Sequence, residues 1–141
     1  MAEISMSTEV DAPPDDVWAT LSDPDKTGEW LVTHVDYPDG PPEYAEGSEF
    51  KEKVTIMGMP GEVVWKIAEL VPGSSLKMEG TGPMGVNLKA SYAVEGDGDS
   101  SQITFNTGFE GAAIAAMAAP LENASKQALQ QSLDKFKTLV G

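Results

Sequence analysis

The 141 residues contain no cysteine and no arginine, and histidine occurs once, at position 34. Without cysteine there are no disulfides, no thiolate metal sites and no thiol nucleophile. Without arginine there is no two-point fork to clamp a carboxylate or phosphate ligand. A zinc or iron site would have to complete His34 with carboxylates. Neither a His-x-x-x-His pair nor a helix with paired carboxylates is present, so no metal and no cofactor is expected. No apolar run approaches the ~18 residues that cross a bilayer. Met1–Met6 lacks a basic start and a continuous apolar stretch, so no signal peptide is expected. These absences lead to the expectation of a cytoplasmic protein without stable membrane association.

Acidic residues are plentiful. The formal net charge is −14, and it is unevenly spread. Residues 1–52 carry 14 Asp and Glu against two lysines, a net of −12, whereas residues 53–141 carry a net of −2. Such a surface repels nucleic acid and anionic membranes. A neutral, apolar or cationic partner fits it better than an anionic one. The apolar content of 40% suffices for a core, and the length fits one domain over 1–141.

The hydropathy pattern gives the order of elements. Ile4, Met6, Thr8 and Val10 alternate with polar neighbours as in a half-buried strand. Pro13-Pro14 ends it and opens a short helix through about Ser22, with Asp15 and Asp16 favouring its N-terminus. Asp23-Pro24 starts a second short helix ending near Trp30. A strand is expected over Leu31–Tyr37, then an acidic, turn-rich surface loop over Pro38–Gly47. Phe50, Glu52, Val54 and Ile56 share one strand face. Gly58-Met59-Pro60-Gly61 reads as a turn. Val63, Trp65 and Ile67 share the inward face of the next strand, and Leu76 and Met78 mark another. Val86 to Val94 and Ile103 to Phe109 alternate clearly, joined by Gly96-Asp97-Gly98-Asp99 as a hairpin loop. From about Ala112 the period becomes helical: Leu129, Leu133, Phe136 and Val140 recur at i, i+4, i+7 and i+11. Pro120 should kink or restart that helix. The reading is α+β: roughly seven antiparallel strands, two short helices after the first strand and a long C-terminal helix. A single amphipathic helix after a meander buries its face only across the concave side of the sheet. That arrangement leaves room for a cavity between them.

This order, with Ala12-Pro13-Pro14-Asp15-Asp16-Val17-Trp18 opening the first helix and Glu29-Trp30 ending the second, resembles the START-like or SRPBCC superfamily, the polyketide cyclase/dehydrase and lipid transport family. The resemblance covers essentially the whole chain. It implies a helix-grip fold, a curved antiparallel sheet wrapped around the C-terminal helix with an apolar ligand cavity. Glu29 to His34, Met57-Gly58-Met59-Pro60 and the Ala-rich helix start look most like small actinobacterial members, some of which are labelled toxins of toxin–antitoxin pairs.

Strand parity turns Glu52 toward the core, where a carboxylate must be paired, hydrated or protonated. Trp65 and Tyr92 share inward faces, and Tyr92 adds a hydroxyl. Trp30 ends a helix beside the loop, and His34 stands at a strand start or the cavity mouth. Met57, Met59, Met78, Met84 and Met117 suit an adaptable lining, and Ala112–Ala119 leaves space. The candidate ligand-binding residues are therefore Trp30, His34, Glu52, Trp65, Met78, Tyr92, Phe105, Met117 and Leu121. The expected cavity measures ~300–1,000 Å3. The leading expectation is binding or carriage of a small hydrophobic molecule by a monomer or homodimer. One alternative is a cyclase/dehydrase-type enzyme moving protons with Glu52, Tyr92 or His34. The other is a protein-interaction module such as a toxin–antitoxin component. Gly80 to Gly85 is glycine-rich, but no helix follows it, so it is not a phosphate loop.

Overall fold

A computed structural model describes residues 2–56 and 58–140. Seven strands, β1 (Ala2–Val10), β2 (His34–Asp36), β3 (Glu49–Ile56), β4 (Met59–Val71), β5 (Ser75–Thr81), β6 (Asn87–Asp97) and β7 (Ser100–Glu110), form one antiparallel sheet in the order β1-β7-β6-β5-β4-β3-β2. Helices α1 (Pro14–Leu21) and α2 (Thr27–Trp30) follow β1, and α3 (Ala118–Val140) lies on the inner face of the sheet after a 3-10 turn over Ala112–Met117. This is a curved half-barrel gripping a C-terminal helix.

Local chemistry explains the starts. Pro14 occupies the first position of α1, where its missing N–H costs nothing, and Asp15 and Asp16 sit in that positive first turn. Asp23 Oδ1 accepts the Asp25 N–H at 3.0 Å and caps the 3-10 turn Pro24–Lys26 that leads into α2. Pro120 falls within the first turn of α3, so the helix restarts there and is not kinked in its interior.

Three boundaries differ from the sequence reading. Met59-Pro60-Gly61 belongs to β4, because Thr55, opposite Pro60, donates its N–H to Thr33 O at 2.9 Å on its other side. No ladder bond is asked of Pro60 at that pair. The strand expected over Leu31–Tyr37 shrinks to His34–Asp36, because Leu31 N–H closes α2 on Thr27 O and His34 N–H turns back to Leu31 O. Gly96 and Asp97 extend β6, leaving a tighter turn. Met57 lies outside the described residues.

The core falls into two groups. Ile4, Val10, Val17, Leu21, Trp30, Ile103, Phe105, Leu133 and Phe136 pack α1, α2 and α3 onto β1 and β7. Full burial of a side chain such as Phe136 contributes ~1.5–3 kcal/mol. Val63, Trp65, Ile67, Leu76 and Met78 make a second group on β4 and β5, joined to the first through Trp18 and Tyr92. Ser132 Oγ accepts the Val32 N–H at 3.1 Å and fastens the chain after α2 to α3.

Candidate functional site

Residues of β3 to β7 and the small residues Ser125, Ala128 and Ser132 of α3 line a partly open cavity of about 120 Å3. Its walls are mostly apolar and aromatic. Trp30, Tyr37, Tyr44, Phe50, Trp65 and Tyr92 all border it, with Val54, Ile56, Val63, Met78, Leu88, Ala90 and Leu129. The volume is close to the ~150 Å3 of an engineered cavity that takes benzene, and below the ~300–1,000 Å3 usual for drug-sized ligands. A hollow of about 440 Å3 over Glu49, Lys66, Glu79 and Lys89 is larger, but it lies among exposed charges on the outer face.

Among the described residues Glu52 is the one acidic side chain on the cavity wall, and its residue is only 5% exposed. Trp65 donates its indole N–H to Glu52 Oε1 at 3.0 Å. His34 Nδ1 stands 2.7 Å from Glu52 Oε2, and with its hydrogen on Nδ1 the imidazole donates there. The carboxylate thus has an N–H donor on each oxygen, as burial demands. Gly80 makes this possible. It pairs with Trp65 across β4 and β5, and a Cβ at position 80 would lie 2.6 Å from the indole Cε3. The His34 ring leans on Tyr37 with centroids 4.5 Å apart, and Tyr37 in turn meets Phe50. Tyr37 donates its hydroxyl to Thr27 Oγ1 at 2.8 Å.

Burial raises the pKa of all three tyrosines above the ordinary phenol range, and the nearby Glu52 carboxylate raises each further. Tyr37, Tyr44 and Tyr92 therefore stay neutral at physiological pH. The Trp30 indole N–H is buried without a hydrogen-bond partner, its ring edge-on to Tyr92 and Phe136. Among the described residues no cluster of three or more His, Asp or Glu is placed to hold a metal ion, and no helix is long and apolar enough to cross a membrane.

The family model for polyketide cyclase / dehydrase and lipid transport matches residues 1–141. The chain belongs to this family. A Mycobacterium tuberculosis protein named Toxin Rv0910 is 29% identical over 141 residues, covering 99% of this chain and 98% of that protein. A second protein of the same organism, Rv1546, is 27% identical over 146 residues, spanning both chains fully. Among solved structures, a conserved protein from Geobacillus kaustophilus superposes with a TM-score of 0.79 at 17% identity, covering 99% of this chain and 95% of that one. A START superfamily protein from Mycobacterium smegmatis gives 0.71 at 16% identity, covering 99% of each chain. At such identities the structures share the fold.

Within this family member, five of the residues singled out from sequence line the cavity: Trp30, Glu52, Trp65, Met78 and Tyr92. His34 stands behind Glu52 and Tyr37 and does not itself line the cavity. Phe105 is fully buried between Trp30, Tyr92 and Phe136, one layer back. Leu121 packs on the β1–β7 core, and Met117 is 37% exposed in the turn before α3. Neither borders the cavity, because the part of α3 that crosses it begins a turn later, at Ser125. Met59 and Met84 are exposed. Sequence reasoning missed Tyr37 and Tyr44, which were assigned to a strand end and a surface loop. It also missed the small-residue face of α3, whose signal, Ser125, Ala128 and Ser132 at i, i+3 and i+7, is present in the sequence.

Proposed function

We propose that the chain binds a small, largely apolar molecule, about the size of one ring or a short branched chain, in the cavity beneath α3. The observation that carries this is the cavity itself: a mostly apolar space between helix and sheet, with Glu52 as an oriented polar group on its wall. Ligand sites have this make-up, apolar walls with a few placed polar atoms. The volume favours a compact ligand over a long lipid or an extended polyketide. The whole chain works as one ligand-binding domain.

Titration with benzene, followed by the melting temperature and by tryptophan fluorescence, tests this. Binding should raise the melting temperature by mass action. Ala128→Trp should fill the space and abolish the shift at little loss of stability. No shift with any single-ring probe would remove the proposal.

A second reading, an acid–base enzyme of the cyclase or dehydrase type, draws on the Glu52–His34 pair beside the cavity. It requires that Glu52→Gln abolish turnover of a small β-ketone substrate without weakening its binding. The toxin reading rests on the name of a relative and finds no group in this site to act through.

A further inference from the structure

Glu52 is a buried carboxylate without a lysine or arginine partner. All nine lysines are exposed, and the chain has no arginine. Its two donors are an indole, which carries no charge, and the His34 ring nitrogen at 2.7 Å, which forms an ion pair only when the imidazole is protonated. A buried carboxylate is stabilised by a cation placed beside it. Around it, six aromatic rings border one cavity: Trp30, Tyr37, Tyr44, Phe50, Trp65 and Tyr92. Electron-rich ring faces attract cations, and cages of such rings recognise alkylammonium groups. The tyrosines stay neutral, and among the described residues Glu52 is the one carboxyl group in the wall.

We propose that the cavity takes a small organic ammonium ion, with its cationic head among these rings and paired with Glu52. The inference rests on the reading of the cavity as a ligand site and narrows its ligand class. Three independent features agree with it. The volume of about 120 Å3 suits a compact alkylammonium. Among the described residues no cationic side chain lies on the wall, which disfavours carboxylates and phosphates. The net charge of −14 draws cations toward the molecule.

Two probes of the same shape separate charge from fit: choline, and 3,3-dimethylbutan-1-ol, in which carbon replaces the quaternary nitrogen. Isothermal titration of the full chain should show choline binding about ten-fold or more tighter than the alcohol. In Glu52→Gln the advantage of choline over the alcohol should be lost. Equal or tighter binding of the alcohol by the wild type overturns the ammonium assignment and leaves the apolar-ligand reading intact. Binding of neither probe, nor of benzene, overturns both. If Glu52→Gln fails to fold, the wild-type comparison decides alone.

Discussion

The two halves of the sheet are built differently. Where β1, β7 and the C-terminal part of β6 face α3, the space is solid. Ile103, Phe105, Leu133 and Phe136 are fully or almost fully buried, and Trp30, Phe105 and Phe136 meet ring against ring at 5.2–5.8 Å. Where β3, β4 and β5 curve away, α3 presents Ser125, Ala128 and Ser132, and the gap stays open. Large side chains on the helix make a core, and small ones at the same inward face make a container. Polar chemistry follows the same division. In the solid half, Ser101 donates to Ala12 O at 2.7 Å, a neutral tie that closes the start of β7 on the chain just before α1. In the hollow half the wall carries a carboxylate.

The largest effect should come from breaking the solid half. Phe136→Ala should cost ~3–5 kcal/mol in denaturant-induced unfolding, since the ring is fully buried against Trp30 and Phe105. A loss below ~1 kcal/mol would show that this half is no better packed than the other. Next comes Gly80→Ala. One methyl must displace the Trp65 ring and the Val63 side chain, so overpacking should cost ~1–3 kcal/mol. The indole should move off Glu52, read as a shift of the Trp65 Nε1–H resonance in NMR. An unmoved resonance would refute the role given to Gly80.

Alkali gives a milder test. The folded phenols have raised pKa values, so their contribution to stability is complete below the unfolded value of ~10 and is lost as pH rises above it. Ultraviolet titration should show no tyrosinate near pH ~10 in the native protein, with absorbance rising only as the chain unfolds. Native ionisation of one tyrosine near pH ~10 would place that ring in water.

Strand faces were legible because side chains alternate with a period of two. Phe50, Glu52, Val63, Trp65, Met78 and Tyr92 all turn inward as their parity requires. The position of the cavity along α3 was not legible in the same way. The run of alanines before Pro120 reads as space, but it precedes the part of the helix that crosses the hollow half. Which turn of a helix lies over which strand is fixed by long-range packing, here by Leu129, Leu133 and Phe136 seating on the solid half. Tyr44 hid in an acidic, proline-rich stretch whose composition reads as solvent-exposed loop. Its ring folds back onto Phe50, with centroids 5.9 Å apart. His34 and Glu52 stand 18 positions apart, and only the pairing of β2 with β3 brings them together.

Xenon tests the division most directly, because it enters largely apolar cavities of about this size and leaves packed cores empty. Crystals pressurised with xenon should show a site bordered by Trp65, Tyr92 and Ala128 and none among Ile103, Phe105 and Phe136. A xenon site among those three, or none beneath Ala128, would contradict the account of one solid half and one hollow half.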